Sequence, residues 1–168
     1  MNTLSLLILD VDGVLTDGRF LFATEGEPLK SFCVRDGHAL KLWRRAGGKV
    51  ALLSGRSDTS LNRRAAELGI EHVHTGVTDK LPVFENLLQA CDFGEGDAVY
   101  IGDDLPDLPV MRRCGLAIAV ADAAPDVKRV AHLVTRRRGG EGAVAEAVEW
   151  ILRRQGQWTT ALADGMRA

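Results

Sequence analysis

The stretch LLILDVDGVLTDG, from Leu6 to Gly18, decides the fold of this chain. Its first four residues are all apolar, which is typical of a short strand buried on both faces of a parallel sheet. Asp10 and Asp12 follow directly, and Gly13 allows the backbone to turn. Side chains two positions apart in an extended segment point to the same side, so we expect both carboxylates to face one small volume. Two like charges that close share a cation or a proton, and oxygen ligands favour Mg²⁺.

The composition is that of a soluble globular protein, and the 168 residues suit one domain. The formal net charge of −2 gives no electrostatic case for nucleic acid or an anionic membrane as a partner. No apolar run has the length of a membrane span, and the N-terminus lacks the pattern of a signal peptide. Cys33, Cys91 and Cys114 are far apart and odd in number, so we expect reduced thiols and a cytoplasmic location.

Apolar runs alternate with helical patterns along the chain. The predicted strands are Leu6–Leu9, Val50–Leu53, Ile70–Thr75, Ala98–Ile101, Leu116–Val120 and His132–Thr135. This order predicts an α/β fold, a doubly wound parallel sheet with helices on both faces. We expect residues 1–154 to form a single domain and residues 155–168 to form a weakly patterned C-terminal tail.

One segment interrupts the βα order. Phe20 and Phe22 begin an alternating pattern that turns near Gly26, which predicts a projecting β-hairpin over residues 19–34. An exposed apolar hairpin needs a cover, and either another subunit or its own domain can supply one. Asp36 follows, and we expect it to be the N-cap of the first helix.

Polar and charged residues follow several of the predicted strands. Asp10 and Asp12 follow the first strand, residues 54–56 (Ser-Gly-Arg) the second, and residues 103–104 (Asp-Asp) the fourth, while Lys80 opens the helix after the third. In open parallel sheets, ligands bind beyond the carboxyl ends of the strands. We therefore expect a hydroxyl, a lysine and three or four carboxylates to meet at one edge. For the opening stretch taken alone, a helix cap or Asx turn is the alternative.

These motifs, in this order, resemble those of the haloacid-dehalogenase-like (HAD) phosphotransferases, namely DVDGVLTDG, Ser54, Lys80 and GDDLPDLPVM. The hairpin in place of a cap domain resembles the capless branch of that superfamily. The segments RDG, SGRS, ELGI, TDK, AVADA and GGEGAV resemble the 3-deoxy-D-manno-octulosonate (KDO) 8-phosphate phosphatases. This resemblance implies a Mg²⁺-dependent phosphatase that releases KDO for lipopolysaccharide synthesis, and a homotetramer packed through its hairpins.

The resemblance also implies a role for each motif residue. Asp10 would be the nucleophile that forms an aspartyl-phosphate, and Asp12 would be the general acid and then the base. Mg²⁺ would be held by the carboxylates of Asp10 and Asp103 and by the backbone carbonyl of Asp12. The residues expected to bind phosphate or sugar are Ser54, Gly55, Arg56, Lys80 and Arg64. Asp104 and Asp107 would support the site, with a helix N-cap as the alternative for Asp104.

Two positions bear on the substrate. Arg56 stands where relatives that act on nine-carbon sialic-acid-type 9-phosphates carry Glu, which favours the eight-carbon sugar; Arg35 and Arg64 are further candidates to bind its carboxylate. Ala145 stands where the family usually has Arg, which leaves the exact substrate or a subunit contact open.

Three other functions share part of this pattern. A nine-carbon 9-phosphatase shares the chemistry, while a catalytically idle oligomerisation or regulatory module is opposed by the intact carboxylates, hydroxyl and lysine. A phosphoacceptor receiver is disfavoured because residues 70–75, the third predicted strand, contain no aspartate.

Overall fold

Six parallel strands form one sheet in the computed structural model, which describes residues 4–22, 24, 25 and 28–165. The strands are β1 (Leu6–Leu9), β2 (Lys49–Leu53), β3 (His72–His74), β4 (Ala98–Gly102), β5 (Leu116–Ala119) and β6 (Leu133–Val134). They are hydrogen-bonded in the order β3-β2-β1-β4-β5-β6. Every neighbouring pair is parallel, which confirms the predicted α/β sheet.

Helices flank this sheet in two groups. They are α1 (Val34–Arg45), α2 (Thr59–Leu68), α3 (Lys80–Cys91), α4 (Leu108–Met111), α5 (Pro125–Val130), α6 (Ala143–Arg154) and α7 (Trp158–Gly165). Helix α1 packs against α2, α6 and α7, whereas α4 packs against α3 and α5. Among the described residues, no helix is both long and apolar enough to cross a membrane.

Strand β1 is the centre of the sheet and of the core. Its four residues are fully buried, and it pairs with β2 on one side and with β4 on the other. The chain builds outward from β1 to β3 and then returns to β4 on the other side of β1. The strand order therefore reverses between β1 and β4, and such a switch point is where open α/β sheets bind ligands.

The start of α1 differs from the prediction. Asp36 is not the N-cap of this helix, because α1 begins at Val34 and the capping position is Cys33. Asp36 lies buried in the first turn, where its Oδ1 accepts a hydrogen bond from the backbone N–H of Ala145 at 2.8 Å. The carboxylate thus satisfies the N-terminus of α6, a helix far away in sequence, rather than that of its own helix.

Two segments outside the sheet are the predicted hairpin and the C-terminal tail. Leu21 and Leu29 form an antiparallel bridge within the predicted hairpin, whose expected turn at Gly26 lies outside the described residues. Leu21 and Phe22 are 64% and 78% exposed, so the segment presents an apolar surface. Toward the C-terminus, the weakly patterned tail contains α7, and Ala161 of this helix is buried against the core.

Candidate active site

A cleft of about 420 Å³ lies at the carboxyl ends of β1, β2 and β4. It is lined by most of the residues predicted for the site: Asp10, Asp12, Gly55, Arg56, Lys80, Asp103, Asp104 and Asp107. Ser54 directly follows β2 beside the cleft and is only 1% exposed. Its Oγ accepts a hydrogen bond from the backbone N–H of Arg56 at 3.2 Å, so this hydroxyl shapes the turn that carries Gly55 and Arg56.

Arg64 is a predicted site residue whose contacts lie outside this lining. Its guanidinium donates to the carbonyl of Cys33 at 3.4 Å and pairs with Glu67 at 3.0 Å. A Cβ at Gly37 would overlap the same guanidinium, so the glycine of the RDG segment leaves room for Arg64. In this structure the arginine ties α2 to the start of α1.

Lys80 links two buried carboxylates at the floor of the cleft. Its Nζ donates to Oδ1 of Asp10 at 2.5 Å and to Oδ1 of Asp107 at 2.7 Å. Lys80 lies in the first turn of α3, and the cap of Asp79 on the N–H of Leu81 fixes that turn. The sequence order brings these groups together because α3 begins beyond the carboxyl end of β3, next to the edge where β1 and β4 end.

Asp107 anchors the loop after β4. Besides Lys80, it accepts a hydrogen bond from the Tyr100 hydroxyl at 2.7 Å and from the backbone N–H groups of Asp103 and Asp104 at 2.9 and 3.2 Å. The sequence pattern does not single out Tyr100, because it stands among apolar residues of the predicted strand Ala98–Ile101. The available signal was that a buried tyrosine hydroxyl requires a hydrogen-bond partner.

The remaining contacts of this loop explain two further sequence features. Oδ1 of Asp104 accepts from the N–H of Leu105 at 2.8 Å, which is the helix-cap contact that the sequence left open as its alternative. Gly13 adopts a φ of +96°, and a Cβ there would overlap Oδ2 of Asp103. The absence of a side chain at residue 13 therefore allows the loop after β1 to approach the loop after β4.

The carboxylates of the cleft repel one another. Burial, reinforced by repulsion from Asp107, raises the pKa of Asp10 to about 6 despite the attraction of Lys80. Burial, together with repulsion from Asp10 and Asp107, raises the pKa of Asp103 to about 8. For Lys80, burial lowers the pKa, but attraction to Asp10 and Asp107 outweighs it and the net shift is upward, so the ammonium stays charged.

These carboxylates fit a divalent cation. Oxygens of Asp10, Asp103 and Asp107 lie within 4.8 Å of one another. Asp107 is already bonded to Lys80, Tyr100 and two backbone N–H groups, so Asp10 and Asp103 are the better candidates for ligands. A hard cation prefers such oxygens, and its charge would relieve the repulsion that raises both pKa values.

Asp12 points toward a different partner from Asp10. Its Oδ1 is 2.7 Å from Nζ of Lys30, a residue of the segment between β1 and α1. Lys30 also lies 2.5 Å from Oδ2 of Asp58, the N-cap of α2. The sequence reasoning missed Lys30 because a single lysine in an alternating segment carries no local signal of a site.

A parallel sheet whose central strand is followed directly by a DxD sequence, with Lys80 bonded to the first aspartate and a GDD sequence where β4 ends, defines a HAD-like phosphotransferase. In agreement, residues 73–148 match the family model of the haloacid dehalogenase-like hydrolases. A KDO 8-phosphate phosphatase of Escherichia coli K12 is 44% identical over 93% of this chain and 83% of its own length. The chain belongs to the 3-deoxy-D-manno-octulosonate 8-phosphate phosphatase family of HAD-like hydrolases.

Solved structures agree with this assignment. The KDO 8-phosphate phosphatase of Moraxella catarrhalis, in complex with magnesium, phosphate and KDO, has a TM-score of 0.93 at 37% identity and covers 96% of this chain and 92% of its own. The cobalt-bound family member of Haemophilus influenzae has a TM-score of 0.93 at 40% identity, over 99% and 98% of the two chains.

Proposed function

We propose that this protein is a Mg²⁺-dependent phosphatase that hydrolyses KDO 8-phosphate to KDO and phosphate through an aspartyl-phosphate. The observation that carries the proposal is the position of Asp10, which directly follows the central strand and lies 2.5 Å from the Lys80 ammonium. With its pKa raised to about 6, this carboxyl is mainly ionised at neutral pH and can act as a nucleophile. Family membership and the phosphate- and KDO-bound relative support the same chemistry.

The chain's own residues divide the reaction into two steps. The Asp10 carboxylate attacks phosphorus, while Asp12 gives its proton to the departing sugar oxygen. Asp12, now ionised, then takes a proton from the water that attacks the aspartyl-phosphate and releases inorganic phosphate. Ser54, Gly55 and Lys80 bind the phosphate oxygens, and Lys80 offsets the negative charge that accumulates around Asp10.

Asp10, Asp103 and the backbone carbonyl of Asp12 would hold Mg²⁺. When bound, this cation supplies positive charge that neutralises the phosphate and lets an anionic nucleophile approach it. Asp107 supports the arrangement, because its contacts with Lys80 and with the N–H groups of Asp103 and Asp104 fix both sides of the metal site. Asp104 supports the same loop by capping its 3₁₀ turn.

The eight-carbon sugar is favoured by Arg56. Its guanidinium lies in the cleft lining, 4.5 Å from the ring centroid of Phe20, which holds a cation on the solvent-exposed side of the cleft. The carboxylate of a keto-acid sugar phosphate needs such a cation at the end opposite the phosphate. Arg64 can join Arg56 only by leaving its contacts with Cys33 and Glu67.

A panel of phosphate esters tests this function. It contains the eight-carbon keto-acid 8-phosphate, nine-carbon sialic-type 9-phosphates and hexose phosphates, each assayed with and without Mg²⁺. We expect strong Mg²⁺-dependent preference for the eight-carbon ester and no turnover by a folded Asp10→Asn variant. Activity confined to nine-carbon esters would overturn the substrate, and no release from any ester would favour the idle module.

The assembly and location complete the proposal. Residues 1–154 form the catalytic domain, residues 155–168 a tail, and four copies associate in the cytoplasm through the segment over residues 19–34. The exposed side chains of Leu21, Phe22 and Leu29 support this contact, since an apolar surface of this kind favours association. Light scattering at micromolar concentration should give a tetramer, and a monomer would contradict it.

A further inference from the structure

Lys30 lies in the segment between β1 and α1, outside every motif that identifies the family here. Its side chain is only 2% exposed, yet it carries a positive charge next to the cleft. Burying an ammonium is unfavourable unless charged groups surround it. Both of its charged partners are carboxylates: Asp12 at 2.7 Å and Asp58 at 2.5 Å. The buried cation is therefore held between a catalytic aspartate and the end of a helix.

The far end of this ion-pair chain is rigid. Oδ1 of Asp58 accepts a hydrogen bond from the N–H of Leu61 at 2.8 Å and caps α2, which leaves Oδ2 for Lys30. The Asp58 side chain is 10% exposed, so its carboxylate has little freedom to turn toward solvent. Lys30 thereby connects Asp12, whose own side chain is 21% exposed, to the N-terminus of α2.

Lys30 also makes a cation–π contact with the ring of Phe20. Its Nζ lies 5.3 Å from the ring centroid of Phe20, and the guanidinium of Arg56 lies 4.5 Å from the same centroid. Cations near an aromatic ring gain from its quadrupole, particularly where water is excluded. One short segment thus contacts both the proposed general acid and the proposed sugar-binding arginine.

We propose that Lys30 is a positioning residue that holds the Asp12 side chain in the orientation needed to donate its proton to the leaving group. The inference rests on the proposed function, in which Asp12 is the general acid. Because Nζ of Lys30 lies 2.7 Å from Oδ1 of Asp12, Oδ2 is the oxygen left to donate the proton to the bridging oxygen as its bond to phosphorus breaks. An aspartate free to rotate would spend less time within hydrogen-bond reach of that oxygen.

The test uses aryl phosphates, which differ in how much their leaving groups need a proton. Phenyl phosphate and 4-nitrophenyl phosphate have similar shapes, but 4-nitrophenolate is much more stable as an anion. Because kcat/KM covers the steps up to the first cleavage of the phosphate ester, it reports on the general acid and not on the later attack of water. We expect Lys30→Met to lower kcat/KM for phenyl phosphate about tenfold more than for 4-nitrophenyl phosphate, since a general acid contributes roughly 10²- to 10⁴-fold.

Matched variants separate positioning from general damage. Lys49→Met makes the same change at the opposite end of the sheet, where Lys49 also lies over an aromatic ring, Phe93, and it should lower both rates equally or not at all. Lys30→Arg keeps the charge and should restore the wild-type ratio in part. Asp58→Asn keeps a helix-capping side chain but removes the charged anchor, and it should change the ratio in the same direction by a smaller factor.

Asp12→Asn distinguishes failure of this inference from failure of the proposed function. If Asp12→Asn shows the selective loss with phenyl phosphate and Lys30→Met lowers both rates by the same factor, Lys30 has no positioning role. If Asp12→Asn itself lowers both rates equally, Asp12 is not the general acid and the proposed mechanism is wrong. Should Lys30→Met fail to fold, Asp58→Asn with an unchanged ratio overturns the inference by itself.

Discussion

The hydroxyl of Tyr100 gives the clearest quantitative prediction. Tyr100→Phe removes one oxygen and leaves the carboxylate of Asp107 with one donor fewer, in a site that water does not reach. A hydrogen bond to a charged group contributes about 1.5–3 kcal/mol to stability. Oδ1 of Asp107 keeps Lys80 at 2.7 Å, so we take the lower end, a loss of about 1.5 kcal/mol. For a chain of this length, that loss lowers Tm by about 3–6 °C.

Denaturant unfolding of the metal-free protein measures this free energy, and the same variant is assayed for turnover. We expect kcat to fall less than about tenfold, because Lys80 and two backbone N–H groups still orient Asp107. In an Asp107→Asn background, Tyr100→Phe should cost less, since the hydroxyl then donates to a neutral amide oxygen instead of a carboxylate. A Tyr100→Phe protein as stable as the wild type, within about 0.5 kcal/mol, would refute the reasoning.

Three further predictions follow from the site. Tyr100 is the sole tyrosine of the chain, and burial with repulsion from Asp107 raises its pKa well above 10.0. Tyrosinate absorbance should therefore be absent until the protein unfolds at alkaline pH, and the free energy of unfolding should fall above pH 10. Titration of the tyrosine in the folded protein near pH 10 would contradict this. The apparent Mg²⁺ affinity should rise with pH up to about 8, because Asp103 has its pKa raised to about 8 and must lose its proton to bind the cation. Calorimetry should detect the released proton. An affinity that does not change between pH 6 and 8 would argue against Asp103 as a metal ligand. Gly139→Ala should destabilise the fold by about 2–3 kcal/mol in a thermal melt, because the new Cβ would overlap the carbonyl of Gly13. Gly94→Ala is the control, since a Cβ there meets only ordinary contacts. Equal losses of stability in the two variants would refute this packing.

Short-range sequence patterns predicted the parts of the site that follow from strand order. An apolar run followed at once by Asp10 identifies a buried strand that ends at a functional edge, and the same holds for β4 and Asp103. Lys80 joined them because the helix that it opens begins at that edge. The resemblance to the family added roles for these residues, which geometry alone does not supply.

Other contacts were out of reach because they join residues that are distant in sequence and carry no local pattern. Asp36 stands just before a helical pattern, where a helix N-cap is expected, yet it accepts a hydrogen bond from the N–H of Ala145, 109 positions away. Lys30 reaches Asp12 only because the segment after β1 folds back over the cleft. Tyr100 lies between apolar neighbours on a buried strand, and only the need of its hydroxyl for a hydrogen-bond partner distinguishes it from them.

Trapping the covalent intermediate shows whether Asp10 is the nucleophile. Enzyme, Mg²⁺ and the eight-carbon sugar phosphate are mixed, quenched in acid within the first turnover, digested, and analysed by mass spectrometry. An aspartyl-phosphate mechanism requires one phosphoryl group on the peptide that contains Asp10, sensitive to hydroxylamine and absent from Asp10→Asn. Turnover with no phosphoryl group on Asp10, or with the group on another residue, would contradict it.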